Sequence, residues 1–309
     1  MASLFSYARQ VQRFLRDANQ TLIDFQDIID YVNQARREVA MRAQCIRVLP
    51  PISGPIIDAT IINGGSGYTN PTVQISTPDS PGGLLLNPNG AQAVGFATQS
   101  GGVINNVFIE FGGDGYYQPI IQINDPTGVG AHIEPIIAPI MTANPYQEVY
   151  KFSDIPLGNF PGVASVYAVN SVSLLYANGR YSVLVYSFTQ YQSLVRQYGP
   201  GMYLYVPCIG AQFGRGASGS FYLYPVPSQS LPMEMDCICL PSDLVSDDDY
   251  EPIPDPWSDA VPFYAAHLAM LELQNGNSAR MYDELFDQRM KRYGQYTLPG
   301  RAISPYGRP

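Results

Sequence analysis

Charge is what this sequence has least of. Only 14% of its 309 residues are Asp, Glu, Lys or Arg, and the balance is acidic, with a formal net charge of −9. A protein that grips nucleic acid on an exposed face needs basic side chains to displace counterions, so tight non-specific DNA binding is disfavoured. Histidine is nearly absent, with only His132 and His267. No G-x-S-x-G, H-E-x-x-H or Walker pattern occurs, which excludes the common nucleophile, zinc and phosphate motifs. The cysteines, Cys45, Cys208, Cys237 and Cys239, form no CxxC pair and have no neighbouring histidine. They read as reduced, packed thiols, with Cys237 and Cys239 on one face of a strand. No apolar run approaches the roughly 20 residues that span a bilayer. Arg9, Arg13 and Arg16 break up the stretch where a signal peptide would carry its apolar core. A soluble protein made in a cytoplasm is expected, without a metal, cofactor or membrane contact.

What is abundant points to β-structure with many turns. The chain holds 28 Gly, 27 Pro and 23 Tyr, and 46% of it is hydrophobic. Its length allows roughly two domains. The long helices are predicted near the ends. Leu4, Tyr7, Ala8, Val11, Phe14 and Leu15 recur at helical spacing. A second helix, opened by an Asp24/Asp27 capping pair, has Phe25, Ile28, Ile29, Val32, Ala35, Val39 and Ala43 as its buried stripe. Arg36, Arg37 and Arg42 are expected outside that stripe, on a solvated face or a subunit contact. Near the C-terminus, Ala260 to Leu271 is apolar on nearly every face, predicting a helix buried all round. Asp259 is its expected N-cap and Pro262 its third residue; Gly276 closes it and Asn277 caps the next helix. That last helix carries Tyr282, Leu285, Phe286, Met290 and Tyr293 on one stripe, acidic residues early and basic residues late.

Between Pro50-Pro51 and Pro145 lies a nearly uncharged stretch with an internal repeat. Ile61 to Tyr68, with its Gly-Gly-Ser-Gly-Tyr, recurs 48 positions later as Ile109 to Tyr116, with Gly-Gly-Asp-Gly-Tyr. Pro71, Val73 and Ile75 map to Pro119, Ile121 and Ile123, and Gly90 to Ala93 answers Gly130 to Ile133. The Gly pairs predict tight turns between short strands, one β-unit used twice. A phosphate loop is excluded because no helix follows either cluster and no Lys is present. Further on, Val163–Val172, Ser173–Tyr176, Tyr181–Tyr186, Met202–Ile209, Ser220–Tyr224 and Met233–Leu240 read as strands, with Asn178-Gly179 as a hairpin turn. Tyr191 to Tyr198 makes one short helix stopped at Gly199. Asp247, Asp248 and Asp249 read as a solvated acidic loop, since they lack calcium-loop spacing. Residues 298–309, rich in Pro and Gly, form an extended tail.

This order of parts resembles the head-to-tail adaptor (connector) proteins of short-tailed bacteriophages. The resemblance rests on the two N-terminal helices, the run Phe221 to Pro227, the phrase Leu240-Pro241-Ser242-Asp243-Leu244, the acidic link, and Pro256 to Val261 opening a helical hairpin. It covers about 1–51 and 145–297. It implies an α+β fold in which N- and C-terminal helices form a bundle around a small antiparallel sheet or barrel, the adaptor core being 1–51 and 141–297. Residues 52–140 would then be an inserted all-β repeat domain, and 298–309 the tail. It also implies a structural virion protein at the head–tail interface, not an enzyme. Such a protein forms a ring, usually of twelve copies, beneath the portal protein, contacts a tail nozzle, tail-tube or tail-fibre protein, and lets DNA pass without sequence-specific binding. Arg301, Tyr306 and Arg308 are the expected portal-docking residues, and Asp247, Asp248 and Asp249 the expected lumen-facing acidic residues. The alternative is a carbohydrate-binding, tail-spike or fibre-attachment module, since abundant tyrosine suits a sugar groove as well as a protein interface. Spatially paired carboxylates for glycoside cleavage are not excluded by sequence.

Overall fold

The computed structural model describes residues 3–16, 22–79, 90–158, 160–176, 179–199 and 206–297. The chain is mixed α+β and falls into two compact units, Met1–Val48 with Asn159–Tyr167 and Ile238–Pro309, and Leu49–Gly158 with Ala168–Cys237. Its helices are α1 (Leu4–Leu15), α2 (Phe25–Ala43), α3 (Phe188–Tyr198), α4 (Val261–Glu272) and α5 (Gly276–Thr297).

In the first unit α4 packs against α1, α2 and α5. Its buried stripe is Val261, Pro262, Ala265, Ala266, Ala269 and Met270, so alanines let the neighbouring helices approach closely. Phe263 meets Phe14 of α1, ring centroids 4.9 Å apart, and Tyr264 meets Phe286 of α5 at 5.0 Å. The helix is therefore not buried all round: Leu271 is 50% exposed. Its start also differs from the sequence reading. A 3-10 turn, Trp257–Ala260, runs directly into it, so Asp259 lies inside that turn and Ala260 is the N-cap. At the other end Gln274 takes the left-handed conformation, φ 58°. Asn275 caps α5 through its Oδ1, which accepts from Ser278 N at 3.3 Å, and Gly276 becomes the first helical residue. Asparagine offers the side-chain acceptor that glycine lacks, so the cap falls there. Asp24 heads α2, yet its side chain makes no capping hydrogen bond.

The strands are β1 (Arg47–Val48), β2 (Ile56–Ser66), β3 (Thr72–Ile75), β4 (Val94–Ser100), β5 (Val103–Phe111), β6 (Ile121–Asn124), β7 (Val129–Ile137), β8 (Thr142–Ala143), β9 (Val149–Lys151), β10 (Val163–Tyr176), β11 (Gly179–Tyr186), β12 (Ile209–Phe213), β13 (Ser220–Tyr224) and β14 (Leu231–Pro241). The largest sheet runs β1-β14-β10-β11-β12-β13-β9, with β8 beside β14. Val163 to Tyr176 is one continuous strand rather than two. Tyr176 pairs with Gly179, so the expected turn at Asn178-Gly179 begins one residue too late. Of the expected strand Met202–Ile209, residues 202–205 lie outside the described residues, and β12 begins only at Ile209. Cys237 and Cys239 are both buried on β14.

Residues 56–137 fold around a core of their own, with Ile56, Tyr68, Ile104, Val107, Tyr116 and Ile133 at its centre. Two sheets surround it, β2-β7-β6-β3 and β4-β5. The two glycine clusters do not form two-residue hairpins. They end β2 and β5, where those strands approach each other reciprocally. A Cβ on Gly64 would lie 2.5 Å from Ile104 O, and one on Gly112 would lie 2.3 Å from Ile56 O. The tight hairpin is instead Gly101-Gly102, both at positive φ, joining β4 to β5. The Tyr68 hydroxyl accepts from Ala131 N at 3.0 Å and the Tyr116 hydroxyl from Ala93 N at 2.8 Å. The spatial counterpart of Ala131 is thus Ala93, two positions beyond the Ala91 of the sequence match. Strand β2 pairs with β7, and β5 with β4. Each GGxGY strand is thereby completed by a strand from the opposite half of the segment.

Candidate functional site: the framework holding the acidic link

The segment that follows β14 carries the phrase Pro241 to Leu244, the acidic cluster and the proline-spaced link to α4. Side chains of α2 hold it in place. Asn33 grips Leu244 through both backbone groups: its Nδ2 donates to Leu244 O at 3.0 Å and its Oδ1 accepts from Leu244 N at 2.9 Å. Arg36 donates from Nη1 to Ser242 O at 2.6 Å and to Asn33 Oδ1 at 3.1 Å. Its Nε and Nη2 donate to the two carboxylate oxygens of Glu251 at 2.8 and 3.1 Å. The Arg36 and Glu251 side chains are 0% and 4% exposed. Glu251 Oε1 also accepts from Ile253 N at 3.1 Å, so the carboxylate is used on both oxygens. Tyr7 of α1 lies beside this pair; burial, then the charge of Glu251, pushes its phenol well above the usual range.

The sequence reading sets Arg36 outside the buried stripe, on a solvated face or a subunit contact, whereas the structure buries it within the chain. It sits four residues after Val32 and three before Val39, both buried, so helical arithmetic places it within the apolar stripe. Arg37 and Arg42 do lie near solvent, Arg37 against Asp243 at 3.5 Å and Arg42 against Asp287 at 2.9 Å.

The acidic cluster is organised rather than free. Phe5 N, at the start of α1, donates to Asp247 Oδ1 at 2.9 Å, and the Ser3 side chain with this N–H holds the Asp247 carboxyl below its ordinary range. Asp249 Oδ2 accepts from Ser246 N at 2.7 Å and Val245 N at 2.6 Å, which lowers its pKa in the same way. Asp248 is exposed. Downstream, Trp257 stacks edge-on against Tyr293 of α5, centroids 5.9 Å apart, and Tyr282 donates to Phe14 O at 2.9 Å. His267 packs inside the same framework, its Nδ1 2.9 Å from Ala279 O. The link from β14 to α4 is thus pinned at Ser242, Leu244, Asp247, Glu251 and Trp257. Such an arrangement fixes the relative positions of α1, α2, α4 and α5.

A family model described as SU10 adaptor protein matches residues 142–305, more than half of the chain. The chain belongs to the SU10 adaptor protein family. This is a structural phage adaptor family, and the matched region takes in the whole pinned link together with α4 and α5. In this SU10 adaptor the match begins at Thr142, beyond the segment 52–140, and it leaves α1 and α2 outside. It includes Arg301 and stops short of Tyr306 and Arg308. All three, with the rest of 298–309, lie outside the described residues. No curated protein matches the SU10 adaptor chain. Among the described residues no group of His, Cys, Asp or Glu is placed to hold a metal ion, and no helix is long and apolar enough to cross a membrane.

Proposed function

We propose that this chain is the ring-forming head-to-tail adaptor of a phage particle, docking beneath the portal protein and continuing the DNA channel toward the tail. The carrying observation is the family match over the pinned link and the C-terminal helices. The four-helix framework is read as a bundle of the adaptor core, 1–51 with 141–297, presenting the same faces in every copy of a ring, with twelve copies the expected number. The net charge of −9 per chain supports a lumen that repels phosphates and lets DNA slide. Asp248, exposed beside two tied-down carboxylates, is the member of the acidic cluster best suited to that wall. Residues 298–309 are the docking tail, with Arg301, Tyr306 and Arg308 as its anchors on the portal. The nozzle, tube or fibre proteins of the tail are the expected partners on the opposite side of the ring.

Native mass measurement of the purified chain, alone and mixed with the portal ring of its own phage, tests this reading. A complex holding a closed ring of adaptor chains on the portal is expected, and lost when residues 298–309 are removed. A chain that stays monomeric with the portal present overturns it.

A further inference from the structure

The segment 52–140 contains its own control. Its two halves carry equivalent bulges: β2 has an extra residue at Ile57 and at Ile62, and β5 has one at Asn105 and at Glu110, each 48 positions later. These bulges fix which side chains face solvent. On β2 and β7 the outward pairs are Asp58–Ile136, Thr60–Glu134 and Asn63–His132. On β5 and β4 the equivalent pairs are Asn106–Thr98, Phe108–Phe96 and Phe111–Val94. At the second and third of these pairs one half presents Thr, Glu, Asn and His where the other presents three phenylalanines and a valine; the exposed isoleucines of the first half, Ile57, Ile62 and Ile136, stand outside those two pairs. Phe96 and Phe108 stack with centroids 5.0 Å apart, and Phe96 and Phe111 are 50% and 54% exposed. The polar pairs Thr60–Glu134 and Asn63–His132 show that the turn, the bulges and the core do not demand aromatic rings at those positions. A contiguous exposed patch of this kind marks an interaction site.

Charge narrows the occupant. The segment has six carboxylates, Asp58, Asp79, Glu110, Asp114, Asp125 and Glu134, and no Lys or Arg. A second copy of the segment brings six more carboxylates and no cation to offset them, and phosphate-bearing partners would be repelled. We propose that the outer face of β4 and β5 docks a different protein of the particle, through an apolar surface of that protein bordered by lysine or arginine. This rests on the adaptor reading only in naming the particle as the place where the partner is found.

A photo-crosslinking phenylalanine analogue at position 108 of the full chain, carried into phage particles, tests it. The expected result is a crosslink to another virion protein at an apolar segment flanked by Lys or Arg. The crosslink should fall at least tenfold when Phe96→Glu is added, which imports the Glu134 of the polar half. Phe96→Glu/Phe108→Thr in the otherwise unaltered chain should keep its circular dichroism and thermal midpoint; if it unfolds, these rings are core and the inference is wrong. A crosslink only to a second copy, or none from a chain that is incorporated at full copy number, overturns the inference and leaves the adaptor reading standing. Specific glycan binding that this double variant abolishes overturns it in favour of a carbohydrate site. Absence of the chain from particles sinks the adaptor reading, and this inference with it.

Discussion

Arg36 and Glu251 stand 215 positions apart in the chain and meet in a two-pronged ion pair that is almost wholly removed from solvent. Removing either should therefore be severe, about 3–5 kcal/mol, because a buried charge is left uncompensated. Arg36→Met and Glu251→Gln are each expected to shift the urea midpoint accordingly. The double variant Arg36→Met/Glu251→Leu should recover much of that loss. If both single variants unfold like the wild type, the pair does not hold the link.

The two tyrosine hydroxyls in the GGxGY turns should matter unequally. Tyr68 OH accepts from Ala131 N, whereas Tyr116 OH accepts from Ala93 N and also donates to Ser76 O at 3.2 Å. Tyr68→Phe removes one hydrogen bond and Tyr116→Phe removes two, although Ser76 O keeps Gln92 Nε2 as a donor at 3.1 Å. Losses of about 1–3 kcal/mol are expected, larger for Tyr116→Phe, in chemical denaturation.

Acid should loosen the turn that Asp125 holds. Thr127, through its side chain and its N–H, and the N–H groups of Asn70 and Thr69 hold the Asp125 carboxyl well below its ordinary range. A folded-state pKa below the unfolded one means that the stabilisation is fully present above about pH 4, the unfolded value, and is lost as pH falls through the folded value. Protection of the Thr69 and Asn70 amides, relative to their intrinsic exchange rates, should thus fall as the pH drops below about 4. Asp125→Asn should show weak protection already at neutral pH and little further loss of protection with acid.

The thiols should be silent in the folded chain. Burial pushes Cys45 and Cys239 up to about 12. Neither forms appreciable thiolate at pH 8, so Ellman's reagent should modify them only after denaturation. Rapid labelling of Cys239 in the native protein would contradict the packing of β14.

Removal of residues 52–140 should be tolerated. Met141 N donates to Pro51 O at 2.7 Å, so the two ends to be joined already touch. A chain with Pro51 linked to Met141 through a short Gly-Ser bridge is expected to stay soluble, keep its helical circular dichroism signal and unfold cooperatively. Insoluble product would show that this segment is part of the core fold.

The sequence by itself determined the helical ends, the α+β class and the equivalence of the two GGxGY segments. Those features are written in local periodicity, three to four residues for α1, α2 and α5, and in a duplicated phrase whose glycines must serve one backbone geometry twice. Local spacing also marked Tyr282, Phe286 and Tyr293 as one stripe. It misjudged the caps around α4 because a 3-10 turn and a left-handed Gln274 depend on how that helix meets its neighbours, which propensity does not record. Tertiary structure alone decided three things. It gave Arg36, which helical spacing already sets on the buried stripe, a compensating carboxylate 215 residues away that has no sequence signature. It tied Asp247 to the start of α1, turning a run of acids into a cap for a helix at the opposite end of the chain. And it turned Phe96 and Phe108 outward as a cross-strand pair, with the bulged Glu110 bringing Phe111 onto the same face as Phe108.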